Sequence, residues 1–196
     1  MATILVEPQP PLHPRLLTVA DLAAMPSDLP SGPVKYELDD GRLVLMAPPA
    51  GEHGRMHHRV GRVLDKHAEE PGHGEAFGEI GVILRRHPDR VVGPDAAFVL
   101  KRSLPVRMSS EGYFETIPEL VVEIRSKNDS TDEVRGMAAE YLEAGVQIVW
   151  IVEPQLRIVT VFRPEEPARE FKIGDTLTAN GVIPNFKVPV AELFAD

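Results

Sequence analysis

One stretch of the sequence, residues 118–154, constrains the fold more than any other, because it predicts a strand, a helix and a second strand in succession. Leu120 to Ile124 is an apolar, β-branched run with a single charge, as expected for a largely buried strand. A capping box that starts at Ser130 predicts the beginning of the helix, and Gly145 suits its end. Gln147 to Val152 is a second apolar run. A strand–helix–strand unit of this kind predicts two parallel, central strands.

The single charge in the first strand is Glu123. Because side chains alternate along a strand, Glu123 and Arg125 share one face, whereas Val122 and Ile124 share the other. A carboxylate in a buried strand is costly unless it is paired or binds a cation. This strand alone leaves two alternatives open, an internal Glu123–Arg125 ion pair and a functional carboxylate.

Composition excludes several classes of protein. The 196 residues are 43% apolar and 26% charged, as in an ordinary globular protein, and no run approaches the ~20 apolar residues of a membrane span. No basic segment followed by a long apolar run is visible at the N-terminus, so we expect no signal peptide, no membrane association and a cytoplasmic protein. The absence of cysteine excludes disulfides and thiolate zinc sites. The net charge of −9 argues against a protein that coats nucleic acid non-specifically.

The chain reads as one domain over residues 17–196, preceded by a flexible arm at residues 1–16 that contains four prolines. A hairpin is predicted from Lys35 to Ala47, because Asp40-Gly41 is a strong turn signal. The first strand of this hairpin carries Glu37. This residue is either an exposed strand carboxylate or a further acid of a functional site.

The helix predicted after residue 52 has two distinct faces. Met56 and Val60 belong to an apolar stripe that should face the core. A second stripe carries four cations, which could contact phosphates or form a solvated face: Arg55, Arg59, Arg62 and Lys66. His53 and His57 are one helical turn apart, but no carboxylate completes a zinc motif and HExxH is absent.

Two strands are predicted next, Glu75 to Leu84 and Val91 to Leu100, joined by a basic turn. Pro94 limits ladder pairing in the second strand, so we expect a bulge or a strand start there. Asp95 is then an acidic residue at a backbone irregularity, followed by an apolar strand.

Short motifs follow one another along residues 17–195 in a characteristic order. Proline-aspartate on one strand and a glutamate two residues before a basic residue on the next are present here as Pro94-Asp95 and Glu123-Ile124-Arg125. This order resembles the PD-(D/E)XK nuclease superfamily and, within it, the restriction endonuclease family often called Uma-two. Further matching pieces are Tyr36-Glu37-Leu38, Asp40-Gly41, His53 after Met46 to Pro49, Ser126, Tyr141, Ala144-Gly145-Val146, Trp150-Ile151-Val152, Gly174 to Leu177 and Ile183 to Phe186.

The resemblance implies an α/β (α+β) restriction-endonuclease-like fold, in which a mixed twisted sheet is flanked by helices. It implies an endonuclease that hydrolyses DNA phosphodiester bonds with Mg²⁺ or Mn²⁺, and a homo-oligomer, expected to be a dimer. Asp95 and Glu123 would hold the metal together with the Ile124 carbonyl. Arg125 would offset charge on the phosphate, and Glu37 would be an additional acid.

One expected feature is missing from this pattern. Where the family often places a lysine on the following helix, this chain has Met137, and the basic residue after Glu123 is Arg125. Arginine can donate hydrogen bonds to phosphate, but it stays protonated and cannot act as a base. The alternative function is therefore a catalytically weakened relative that serves as a DNA-binding or oligomeric interaction protein. Purely structural ion pairing of the buried acids is a third alternative.

Overall fold

The computed structural model describes residues 15–26, 28–30, 32–46, 51–107, 112–127 and 129–195. Nearly all of the predicted arm at residues 1–16 falls outside these ranges. No helix within them is both long and apolar enough to cross a membrane.

Fourteen strands and four α-helices are formed by the described residues. The helices are α1 (Val19–Ala23), α2 (Gly51–Leu64, continued by a π-helical turn at Asp65–Glu69), α3 (Thr131–Ala144) and α4 (Val190–Phe194). The strands are β1 (Asp28–Leu29), β2 (Gly32–Pro33), β3 (Lys35–Asp39), β4 (Arg42–Met46), β5 (Gly74–Gly78), β6 (Val82–Arg85), β7 (Arg90–Val92), β8 (Ala96–Leu100), β9 (Leu120–Ile124), β10 (Ile148–Glu153), β11 (Ile158–Phe162), β12 (Arg169–Lys172), β13 (Thr176–Thr178) and β14 (Lys187–Pro189).

The two main sheets have six and four strands. The larger sheet has the order β12-β11-β10-β9-β8-β5, and the smaller has the order β4-β3-β7-β6. In the larger sheet β9 and β10 are parallel, with Val122 opposite Trp150, and the other neighbouring strands are antiparallel. The predicted class, a mixed sheet flanked by helices, is confirmed.

The central strand–helix–strand unit forms as predicted. The Ser130 hydroxyl accepts a hydrogen bond from the Glu133 N–H at 3.2 Å, and the Glu133 carboxylate accepts one from the Ser130 N–H at 2.8 Å. These two bonds satisfy N–H groups that the first turn of α3 leaves without a helical partner. Gly145 ends the helix with φ of 109°, which glycine adopts without the steric cost that a side chain would add.

Each of the two long predicted strands is divided between the two sheets, so that part of the prediction is wrong. Residues predicted as one strand form β5 in the larger sheet and β6 in the smaller, and the next pair, β7 and β8, is divided in the same way. At the first crossing Glu79 has φ of 53°, and the Tyr113 ring packs where a side chain of Gly81 would lie. At the second crossing Pro94 provides no N–H for a ladder. Asp95 therefore lies at a junction between the sheets, immediately before β8.

The larger sheet is covered on both faces. Val122 and Trp150 face a core that includes the apolar stripe of α2, whereas Val121 and Val149 face α3. Burying each such large side chain contributes about 1.5–3 kcal/mol. Because neighbours along a strand face opposite ways, Glu123 lies on the α3 side of the sheet.

Candidate active site

A cleft of about 1310 Å³ opens at the carboxyl end of β9, bounded by the smaller sheet, the start of α2 and one face of α3. Four residues predicted as catalytic line it: Glu37, Asp95, Glu123 and Arg125. Ligands of open α/β sheets commonly bind beyond the carboxyl ends of the strands, which is where this cleft lies.

The Asp95 carboxylate is held by groups from two other elements. Its Oδ2 accepts a hydrogen bond from the Ile124 N–H at 2.7 Å, and its Oδ1 lies 2.7 Å from Nε2 of His53 at the start of α2. The exposed fractions of the Asp95 and His53 side chains are 17% and 20%. Asp95 is therefore fixed in orientation while part of its surface remains open to the cleft.

The register of β8 against β9 explains why the Ile124 N–H is available to a carboxylate. Ala96 pairs with Val122, so the position opposite Ile124 falls to Pro94, which has no N–H. The Asp95 carboxylate accepts the Ile124 N–H, which would otherwise bond to the backbone of a continuing neighbour strand. The Ile124 carbonyl points to the same side as its own N–H, and the register offers it no donor. An acidic side chain and a carbonyl oxygen that has no ladder partner among the described strands are thus directed to one corner of the cleft.

Glu123 and its hydrogen-bond partner Tyr141 are strongly perturbed electrostatically. Its Oε1 accepts a hydrogen bond from the Tyr141 hydroxyl of α3 at 2.5 Å. Burial raises the pKa of Glu123 well above its ordinary value, and the neighbouring charges of Asp95 and Glu37 raise it further, against the lowering effect of Tyr141. Burial and Glu123 also raise the pKa of Tyr141. The charged form of Glu123 is therefore electrostatically unfavourable, and a bound cation would stabilise it.

Glu37 reaches the same cleft from the smaller sheet. The Gly93 N–H donates to its Oε1 at 2.8 Å, and Nη1 of Arg90 lies 4.0 Å from its Oε2. Burial raises the pKa of Glu37, while the Gly93 bond and the Arg90 charge oppose that rise. Glu37 is thus one of two partly buried carboxylates that act on Glu123, the other being Asp95.

Arg125 lines the cleft but does not pair with Glu123. Its Nη1 donates to the Glu153 carboxylate at 2.7 Å, and its Nη2 donates to the Asp129 carbonyl at 3.0 Å. The internal Glu123–Arg125 ion pair, one of the alternatives that the strand left open, is therefore not formed. The guanidinium is instead held near the end of β10, by Glu153 on that parallel strand and by Asp129 in the loop that follows β9.

Met137 lies on the side of α3 that faces the cleft. It is half-buried and packs against the core under α3. An apolar thioether therefore occupies a position from which an ammonium group could reach the site.

Carboxylates outnumber cations among the residues that line the cleft. Eight acids stand against four lysines and arginines: Glu37, Glu52, Glu79, Asp95, Glu123, Asp129, Glu133 and Glu140 against Lys35, Arg90, Arg125 and Lys127. Lys35 pairs with Glu79 at 2.6 Å, and Arg90 pairs with Glu140 at 2.6 Å. Among the described residues, Lys127 is the cleft cation without an ion pair. The cleft is electrostatically suited to a cation and, without one, unfavourable to a phosphate.

The donor set suits a hard divalent cation held by few protein ligands. The described part of the chain contains no cluster of three or more histidine or acidic side chains able to hold a metal. Two carboxylates, Asp95 and Glu123, and the Ile124 carbonyl remain as oxygen donors. Magnesium prefers oxygen ligands and retains several waters, so this sparse set fits it better than it fits zinc.

The stripe of cations on α2 lies outside the cleft. None of its four residues, Arg55, Arg59, Arg62 and Lys66, belongs to the lining. Lys66 donates to the Glu192 carboxylate of α4 at 2.5 Å, so part of its charge is already compensated. The role of this stripe in DNA binding stays a prediction.

Two site residues had no role in the prediction from sequence. In the sequence His53 stands out as half of a zinc pair with His57 and as a piece of the ordered motif series, and Tyr141 only as a piece of that series. Their partners, Asp95 and Glu123, are 42 and 18 residues away along the chain, beyond the reach of local periodicity. The position of both residues within the ordered motif series was the one available signal.

Comparison with known proteins identifies the family. A family model described as "Uma2: Putative restriction endonuclease" matches residues 19–191. The chain belongs to the Uma2 family. No curated protein matches this Uma2 chain. It is similar to a crystal structure titled a "putative nuclease belonging to DUF820" from Anabaena variabilis ATCC 29413, with 19% identity and a TM-score of 0.73 over 91% of this chain and 97% of that one. That likeness shows that this chain and the Anabaena variabilis protein share a fold.

Proposed function

We propose that this Uma2 protein is a Mg²⁺- or Mn²⁺-dependent endonuclease that hydrolyses phosphodiester bonds of DNA. The observation that supports the proposal most directly is the meeting of Asp95 and Glu123 at the junction of the two sheets. Glu123 is kept there at an electrostatic disadvantage that a cation would remove. A structural role alone would not require a second carboxylate beside it.

Asp95, Glu123 and the Ile124 carbonyl would hold the metal. When bound, such an ion lowers the pKa of a coordinated water and offsets charge on the phosphate. The chain's own contribution is orientation: the Ile124 N–H and His53 fix the Asp95 carboxylate, and the Tyr141 hydroxyl fixes Glu123. Glu37, held by the Gly93 N–H, adds negative charge on the side of the smaller sheet.

Two cations at the cleft are candidates for contact with the phosphate. Arg125 is pre-oriented by Glu153 and the Asp129 carbonyl and can offer its remaining N–H groups to an anion. Lys127 follows Glu123 by four residues, lines the cleft and is exposed. Together they are the chain's substitute for the ammonium group that Met137 lacks.

The alternative function is a catalytically weakened relative that binds DNA or acts through assembly. Two observations favour it: Met137 puts a thioether where the family often has a lysine, and Arg125 is already bonded to Glu153. Under this alternative the carboxylates still bind a cation, but hydrolysis is slow or absent.

Cleavage of supercoiled plasmid with Mg²⁺ or Mn²⁺ separates the two functions. We expect nicked or linear products from the natural chain and none from Asp95→Asn or Glu123→Gln. Glu52→Gln is the matched control, because Glu52 lines the same cleft from the first turn of α2 but makes none of the bonds described above. If all three variants cut as fast as the parent, the proposed site is wrong. If the parent binds metal and DNA but never cuts, the weakened relative replaces the nuclease.

A further inference from the structure

β4 is an edge strand whose apolar residues are exposed on both of its faces. Leu43, Val44, Leu45 and Met46 are exposed by 37%, 36%, 57% and 43%, and no described strand pairs with the outer edge of β4. Natural edge strands are normally protected by charges, by proline or by a covering segment. β12, at the edge of the larger sheet, carries such charges at Arg169, Glu170 and Lys172. We propose that β4 pairs antiparallel with β4 of a second copy of this chain.

The hairpin geometry determines which backbone groups β4 offers. Asp39 pairs with Arg42 across a two-residue turn, in which Asp40 and Gly41 have φ of 49° and 74°. Such a turn closes on a hydrogen-bonded pair, and bonded and non-bonded positions then alternate. Arg42, Val44 and Met46 therefore bond toward β3. Leu43 and Leu45 direct their N–H and C=O groups outward.

These outward groups are complementary to themselves. A two-fold axis at Val44 places Leu43 opposite Leu45 of the partner subunit, and Leu45 opposite the partner's Leu43. All four outward groups of each copy then find partners. Closed two-fold pairing of one patch with itself is the commonest arrangement of homo-oligomers.

The side chains fit the same register. Val44 meets the partner's Val44, and the leucines meet one another on the opposite face. Arg42, the one charged residue of β4, falls opposite Met46 of the partner subunit and not opposite its own copy, so no like charges face each other. Leu16, 50% exposed, lies against Gly41 and extends the apolar surface at one end of β4. This match of pattern, charge and backbone favours a second copy over a different partner.

The pairing has a consequence for the cleft. Glu37 lies directly across from Val44 in β3, so its side chain is on the same face of the sheet. Three strand spacings separate the two copies of Glu37, which is about 14 Å. The joined eight-stranded sheet would present both clefts on one side, side by side. Two clefts on one side of a dimer could act on both strands of a DNA duplex, a consequence that rests on the proposed function.

Single cysteines test the register, because the chain contains none of its own. Val44→Cys places two thiols at the axis in a non-bonded pair, where the Cα atoms are close enough for a disulfide. Leu43→Cys is the matched control. Leu43 is equally exposed and on the same strand, but its two copies would lie about 8 Å apart, beyond disulfide reach. Under mild oxidation we expect Val44→Cys to run at twice the mass of the 21.6 kDa chain, and Leu43→Cys to remain single.

Two outcomes overturn the proposed interface. Equal cross-linking of the two cysteine variants would indicate non-specific association through β4 and not pairing in the proposed register. No cross-linking of a folded Val44→Cys would indicate that another occupant, such as this chain's residues 1–14 or a different protein, covers β4.

Charge substitution provides a second test that does not depend on disulfide formation. Val44→Lys and Val44→Glu should each sediment as monomers, because like charges meet at the axis, and an equimolar mixture should form a heterodimer. A natural chain that is itself monomeric, or a Val44→Lys variant that still dimerises, overturns the pairing. Nuclease assays then separate this proposal from the proposed function. If the chain is a dimer that binds metal but does not cut DNA, the proposed function is wrong and the proposed interface stands. If the chain is a monomer that cuts DNA, the proposed interface is wrong and the proposed function stands.

Discussion

The Tyr141 hydroxyl donates a hydrogen bond to the Glu123 carboxylate across the interface between α3 and β9. This bond favours the charged form of Glu123, whose pKa is otherwise raised by burial and by Asp95 and Glu37. A tyrosine that is 1% exposed therefore controls how readily the site carries negative charge.

Tyr141→Phe should weaken metal binding without unfolding the protein. The ring still fills its place, but Glu123 loses this donor and its pKa rises further. We expect a loss of about 0.5–1.5 kcal/mol in the free energy of unfolding, typical of one intramolecular hydrogen bond. Titration calorimetry with Mn²⁺ should show weaker binding. Tyr36→Phe is the control, because it removes a hydroxyl that bonds to the Pro26 carbonyl; an equal loss of Mn²⁺ affinity in both variants would contradict the role of Tyr141.

Asp95→Asn should separate folding from metal binding. The amide can still accept the Ile124 N–H through its oxygen and donate to His53 through its nitrogen, so metal-free stability should change little. The parent should melt at a higher temperature when Mg²⁺ or Mn²⁺ is added, because binding to the native state stabilises it by mass action. The variant should lose that rise. A full metal response in Asp95→Asn would remove Asp95 from the ligand set.

Met137→Lys should increase metal-dependent DNA cleavage, or create it if the parent shows none. The side chain lines the cleft, and one electrostatic donor is typically worth on the order of 100-fold in rate. Met137→Leu controls for packing and should cut like the parent. Arg125→Ala should abolish remaining activity, although it also leaves Glu153, only 13% exposed, without its partner. The idea fails if the lysine variant folds, binds metal and DNA, and cuts no faster.

Neutralising Arg55 and Arg62 tests the α2 stripe. If both contact phosphates, Arg55→Gln with Arg62→Gln should weaken binding to all DNA sequences alike and reduce the slope of log K against log salt by roughly two units. Arg157→Gln with Lys187→Gln removes two exposed charges elsewhere and should leave the slope unchanged. Fluorescence anisotropy over a salt series measures both. Identical slopes for the two double variants mean that the stripe is only solvated.

The interactions of Glu192 with Lys66 and His67 should stabilise the fold less in acid than at pH 7. Its hydrogen bond to Lys66 lowers the pKa of Glu192, burial opposes that shift, and His67 adds to it. Because the native pKa lies below the unfolded one, the stabilisation is present above the ordinary glutamate pKa and disappears as pH falls through the native value. Urea unfolding should therefore show Glu192→Gln to be less stable than the parent at pH 7, with the difference closing in acid. A difference that stays constant with pH would exclude this linkage, and Glu143→Gln on α3 provides the exposed control.

Local signals in the sequence were sufficient for the central unit and the placement of Asp95. The capping box at Ser130, the glycine at 145 and the missing N–H of Pro94 each act within a few residues, so a pattern reveals them. Partners set by long-range register could not be read in this way. Arg125 bonds to Glu153 because β9 and β10 are parallel neighbours, and no spacing along the chain distinguishes that pair from Glu123–Arg125.

The division of two strands between the sheets was also hidden, because apolar residues occur in both halves of each predicted strand. Only the backbone features at Glu79 and Pro94 mark the crossings, and either could have been a bulge within one sheet.

The two crossings fix the smaller sheet as a wall of the cleft. It is joined to the larger sheet by two passages of backbone, the second of them at Pro94 and Asp95. It is also held against α3 by the bidentate ion pair between Arg90 and Glu140 and by the buried side chains of Val82 and Val92. Glu37 reaches the cleft from this wall, and the charge of Arg90 opposes the rise in the pKa of Glu37. Loss of Arg90 would therefore weaken the contact of the wall with α3 and raise the pKa of Glu37 further.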